Sequence, residues 1–162
     1  MNADAKMARL DGEARGAALA PALAGLRALY ADLDRELAQL APRCELSGRC
    51  CDFKKSGLTL FATDLELAHL ARHAPPPLAR DPALCPWWKD RLCHARDGRP
   101  LGCRIYFCDE SKADALEELS TRYHARLKRL HEDAAPGATG GTAVAYRYAP
   151  FVRTVHERLA AE

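Results

Sequence analysis

Residues 44–51 read Cys44-Glu45-Leu46-Ser47-Gly48-Arg49-Cys50-Cys51, and the chain's remaining cysteines, Cys85, Cys93, Cys103 and Cys108, follow before residue 109. All seven cysteines of the 162-residue chain fall in that one region. Average composition does not place so many thiols in so short a span. Thiolates gathered this way suit a soft or borderline metal ion. A metal-binding centre is therefore expected over 44–108, with loops and short strands pinned by metal over 78–108.

Three other fates for the thiols are weaker. Disulfides are disfavoured because the count is odd and neighbours such as Cys50 and Cys51 rarely bridge each other. Buried free cysteine behaves as a small hydrophobe, which accounts for one or two such residues better than for seven. A nucleophilic thiol needs an activating base, and His94 beside Cys93 is adjacent in sequence only.

Composition bounds the rest. The length fits a single domain with a core of its own beside any metal. Formal charge is +2, and four thiolates on one divalent ion would change it by −4 + 2, to 0. A chain so near neutrality has little electrostatic means to hold nucleic acid. The first fifteen residues carry Asp4, Asp11 and Glu13, unlike a secretory leader, and the apolar run 17–26 contains Pro21 and is too short to span a bilayer. The expectation is a cytoplasmic protein with no membrane and no nucleic-acid partner.

The expected fold is mainly α, α+β in class, with an irregular cysteine-rich metal-binding centre of short strands between helical ends. Residues 1–15 are expected to be frayed or disordered and 16–162 to form one domain. Leu26, Leu29, Leu33, Leu37 and Leu40 recur at helical spacing from about Pro21, and Pro42 ends the run. Gly57 to Phe61 reads as a short strand. Thr63-Asp64-Leu65-Glu66 then reads as a capping box for a helix through about His73, halted by Pro75-Pro76-Pro77. Residues 78–108 are rich in turn formers and predict loops and short strands. Beyond them Ser111 can cap a helix whose stripe is Leu116, Leu119, Tyr123, Leu127 and Leu130. Residues 136–142 form a turn or linker, and Val144, Tyr146 and Tyr148 alternate as in a strand. Pro150 opens a last helix carrying Phe151, Val152, Val155 and Leu159.

The cysteine spacing resembles a known family. Exchanging Ser47 for cysteine would turn 44–51 into Cys-x2-Cys-x2-Cys-Cys, the signature of the CxxCxxCC family of zinc- or iron-chelating domains. Downstream, Cys85-Pro86-Trp87-Trp88, Cys93, and Arg99-Pro100-x2-Cys103-Arg104-x-Tyr106-x-Cys108 resemble the family's later blocks in order and spacing. Ser47 departs from the pattern, and its hydroxyl is a poorer ligand for a soft cation than thiolate. Ala95-Arg96 also stands where the family often has an aliphatic-aromatic pair. The resemblance implies chelation of zinc or iron, an iron–sulfur cluster included, and larger proteins similar to this family include flagellin lysine methylases.

The candidate metal ligands are Cys44, Cys50, Cys51, Cys85, Cys93, Cys103 and Cys108. Cys50 and Cys51 can reach one ion only through a tight turn, for which Gly48 is well placed. The expected centre joins Cys44 and at least one of that pair to Cys85, Cys103 and Cys108. His94 is a possible nitrogen ligand. Arg49, Arg91, Arg99 and Arg104 either donate to thiolates or lie in solvent, while Trp87, Trp88, Tyr106 and Phe107 are expected to pack around the metal. His69 and His73 read as a polar outer face with Glu66, and His124, His131 and His156 as solvated. The leading function is a metal-binding module, with a small iron–sulfur enzyme or redox protein and a zinc-ribbon-like adaptor as alternatives.

Overall fold

Why the helices form is plain from their apolar stripes. In the computed structural model, which describes residues 19–78, 81, 83–134 and 149–160, the first stripe becomes α1 (Leu19–Leu40) and buries Leu26, Leu29, Leu33 and Leu37 on one face. The last long stripe becomes α5 (Ala113–Asp133), burying Leu116, Leu119, Tyr123 and Leu127. These two faces pack together into one apolar core. Each fully buried leucine there contributes about 1.5–3 kcal/mol. At the solvent edge Tyr123 and Arg122 both hydrogen-bond the Glu36 carboxylate, at 2.6 Å and 2.7 Å, fixing the pairing of the helices.

Between the long helices the chain is finely divided. A one-turn helix α2 (Phe53–Ser56) is opened by Asp52 and closed by Gly57 in the left-handed region. Strand β1 (Phe61–Ala62) is shorter than the 57–61 strand expected from sequence and starts at that segment's end. Helix α3 (Asp64–His73) carries the capping box as read: the Glu66 amide donates to Thr63 Oγ1 at 3.3 Å and the Thr63 amide to Glu66 Oε2 at 2.8 Å. Strands β2 (Trp88–Lys89) and β3 (Leu92–Cys93) form a hairpin turned by Asp90 and Arg91, at φ 52° and 64°, the twist a two-residue hairpin loop requires. Helix α4 (Leu101–Ile105) was not foreseen within 78–108. Strand β4 (Ala149–Pro150) pairs antiparallel with β1, and α6 (Phe151–Ala160) follows it. The architecture is mainly α with two small antiparallel two-stranded sheets.

Several expectations change. Asp109, not Ser111, opens the turn before α5: its carboxylate accepts from the Ser111 amide at 3.2 Å and the Arg43 amide at 3.0 Å. His69 is 4% exposed and His131 1%, so neither is a solvated surface group. His131 belongs to the buried stripe of α5. His69 is covered because α3 is wedged between two cores: Leu65 and Ala68 face the helical one, while Leu67 and Leu70 face a second built on Trp87, Phe151 and the cysteines. The expected frayed segment 1–15, the linker 136–142 and the strand around Val144, Tyr146 and Tyr148 lie outside the described residues. Among the described residues no helix is long and apolar enough to cross a membrane.

The fully buried Glu66 ties α3 to its surroundings. Besides closing the capping box, its Oε1 accepts from the Leu101 amide at 2.7 Å and from Tyr30 Oη at 3.1 Å. Leu101 is the first residue of α4, whose N-cap, Pro100, makes no side-chain capping bond. A carboxylate at that N-terminus satisfies an orphan amide and favours the helix dipole. A residue of α3 thus caps α4.

Candidate metal centre

Gly48 is where the first cysteine loop reverses. Its φ of 70° lets the Cys51 amide donate to the Gly48 carbonyl at 3.1 Å, which places Cys50 Sγ 3.9 Å from Cys51 Sγ. The expected turn is present, and it brings two sequence neighbours to the same side. Cys51 then accepts at its carbonyl from the Cys85 amide, 3.3 Å away, joining the first loop to the second. The Trp88 amide donates to the Cys85 carbonyl at 3.0 Å and the His94 amide to the Trp87 carbonyl at 2.9 Å, so the hairpin hangs from the same turn. Trp87 is fully buried and donates from Nε1 to the Pro75 carbonyl at 2.6 Å, anchoring the hairpin against the end of α3. Helix α4 contributes Cys103.

These elements enclose a cavity of about 60 Å³ lined by Cys44, Cys50, Cys51, Cys85, Cys93 and Cys103. Six of the seven thiols, from four separate stretches of chain, share that wall. Cys51 and Cys85 are buried, Cys44 is exposed, and the others are half-buried. The apolar part of the wall includes Leu60, Leu70, Trp87 and Phe151, and Arg96 and Arg99 supply its two cations. Neither a carboxylate nor an imidazole lies on the wall among the described residues, so His94 is outside it. Cys108 lines a neighbouring groove of about 780 Å³, which shares Leu60, Tyr106 and Phe107 with the cysteine cavity.

The thiols are electrostatically linked. Hydrogen bonding with Cys51 lowers the Cys50 thiol to about 7 and the Cys93 thiol to about 6, and the positive charge of Arg99 acts in the same direction. Cys51 itself is pushed upward, because its proton is held against Cys50, Cys85 and Cys93. Burial raises Cys103. One thiol that keeps its proton therefore supports others poised to lose theirs near neutral pH.

Among the arginines, Arg104 has another task. It is buried, donates from Nε to the Arg99 carbonyl at 2.9 Å and from Nη1 to Asp34 at 3.1 Å, and stacks over the Tyr30 ring at 4.2 Å. A further bond reaches the Asp97 carbonyl. It therefore holds the 97–99 turn against α1 and does not donate to a thiolate in any of these contacts. Arg96, named from sequence only as a departure from the resembled pattern, lies on the cavity wall beside Arg99, and Arg99 Nε donates to the Arg96 carbonyl at 3.1 Å. Phe151 was read only as part of the last stripe, and no local signal tied it to residues nearly a hundred positions earlier. Tyr106 is half-exposed, and Phe107 packs partly against the helical core.

Among the described residues no group of three His, Cys, Asp or Glu side chains stands drawn together to hold an ion. The donor chemistry nevertheless fits a thiophilic ion: sulfur alone on a small, largely apolar wall with two compensating guanidiniums. Ser47, the departure from the resembled pattern, is not on the wall; its carbonyl accepts from Arg91 Nε at 3.4 Å. No family model matches this chain, and neither a curated protein nor a solved structure matches it.

Proposed function

We propose that this protein is a cytoplasmic metal-binding protein that holds zinc or iron through the thiolates of its central cavity. The observation carrying the reading is that six cysteines from four stretches line one enclosed space. Four sulfurs satisfy a closed tetrahedral zinc site or a four-cysteine cluster equally well. No disulfide joins any of the seven cysteines, which leaves their sulfurs open to ligation. The resemblance to the CxxCxxCC family supports the same chemistry.

An iron–sulfur enzyme is the second reading, favoured by the 780 Å³ groove that shares three wall residues with the cavity. A space of that size beside a metal centre suits a small substrate. Protein purified without oxygen and analysed for zinc, iron and acid-labile sulfide separates the two. Colourless protein with stoichiometric zinc supports the structural centre. Brown protein with iron and sulfide supports the cluster, and protein that neither carries nor takes up either metal overturns both.

A further inference from the structure

We propose that the cavity holds two divalent ions rather than one, in a shared thiolate centre that uses all six wall cysteines and leaves Cys108 out. The inference rests on the metal-binding reading above and concerns its nuclearity. One tetrahedral ion takes four sulfurs and would leave two of the six wall thiols idle in a largely apolar enclosure. Two tetrahedra that share an edge take six: four terminal sulfurs and two bridging ones. The number of thiols on the wall matches that requirement.

Cys51 is the natural bridge. Its Sγ lies 3.9 Å from Cys50 Sγ in its own loop, its carbonyl accepts from the Cys85 amide in the next turn at 3.3 Å, and it shares the cavity wall with Cys93 of the hairpin. A bridging thiolate must adjoin sulfurs belonging to both ions, and Cys51 sits beside Cys50 while its backbone is bonded to the block that carries Cys85. Cys44, exposed at the rim, has the place of a terminal ligand.

Charge closes as well. Six thiolates on two divalent ions leave −6 + 4 = −2, which the Arg96 and Arg99 guanidiniums on the same wall neutralise. Cys108, on the groove side, takes no part.

The test uses the full chain, stripped of metal under nitrogen and titrated with Zn2+ or with Co2+ as a spectroscopic substitute. Two zinc ions per chain and thiolate-to-cobalt absorption that saturates at two equivalents are expected. The high-spin Co2+ paramagnetic resonance signal should rise to one equivalent and fall toward the second, because ions joined by a common thiolate couple. Cys108→Ser should keep both ions and Cys51→Ser should lose at least one. If Cys51→Ser does not fold, the wild-type resonance decides. One zinc per chain, a cobalt signal that grows linearly to two equivalents, or a four-iron cluster would overturn the two-ion centre and leave the metal-binding reading intact. Failure to take up any ion would overturn both.

Discussion

Gly48 and Gly57 both lie in the left-handed region, at φ 70° and 66°, yet their surroundings differ. A Cβ on Gly48 would stand 2.7 Å from Trp88 Nε1 and 2.8 Å from the Arg91 carbonyl, whereas a Cβ on Gly57 would meet nothing within 4 Å. Gly57→Ala is therefore expected to cost only the left-handed backbone term, about 1–2 kcal/mol. Gly48→Ala adds a clash with the hairpin backbone, for a total of roughly 3 kcal/mol or more. Urea unfolding of the two variants measures the difference, and equal losses would show that the hairpin yields freely. Gly48→Ala should also lower metal content, since the hairpin it displaces carries Cys93. Sequence marked Gly48 as the turn that aligns Cys50 and Cys51. That the hairpin closes over it follows from contacts forty residues apart, which no local pattern encodes.

Helix α3 shows how an element can be read correctly and placed wrongly. Its capping box and its end before Pro75 are local chemistry, and both are found. Of its expected outer face only His73 is exposed, because both sides of the first two turns are covered, leaving every residue from Asp64 to Leu70 buried. His69 consequently has its pKa lowered from 6.5 to about 4, chiefly by burial, with the charges of His73, Arg104 and Arg27 adding to the effect and the Asp97 carbonyl opposing it. The unfolded chain then binds a proton that the folded chain refuses between those two values. Its contribution to stability is complete above about 6.5 and is lost as pH falls toward 4. Unfolding midpoints measured over that range should fall more steeply in the wild type than in His69→Gln, which cannot titrate. Parallel curves would mean that His69 binds its proton in the fold as readily as in the unfolded chain. Helix α4 is the opposite case: a five-residue element without a capping side chain of its own, held by Leu101 and Ile105 in the helical core and by the Glu66 carboxylate at its start.

The described residues divide their apolar interior into two cores that meet across α3, one built from the long helices and one around the thiols. For the metal-bound protein proposed above, removing the ion should act unequally on them. A strong thiol-compatible chelator under nitrogen should lower the melting temperature, because an ion bound only by the folded chain stabilises it by mass action. Amide exchange should accelerate at Cys85, His94 and Ala95 while α1 and α5 stay protected, since the Leu26 and Leu33 packing owes nothing to thiolates. Uniform acceleration would mean that the thiol core also holds the helices together. Periodicity and capping laid out the long helices and the stop before Pro75 because those signals act over one or two turns of chain. The cysteine spacing also named the region where sulfur would gather. Convergence of six thiols on one wall, the separate position of Cys108, the closure by Phe151 and the burial of His69 arise from packing between segments distant in sequence. Such contacts depend on how faces meet, and residue order states the faces without stating their partners.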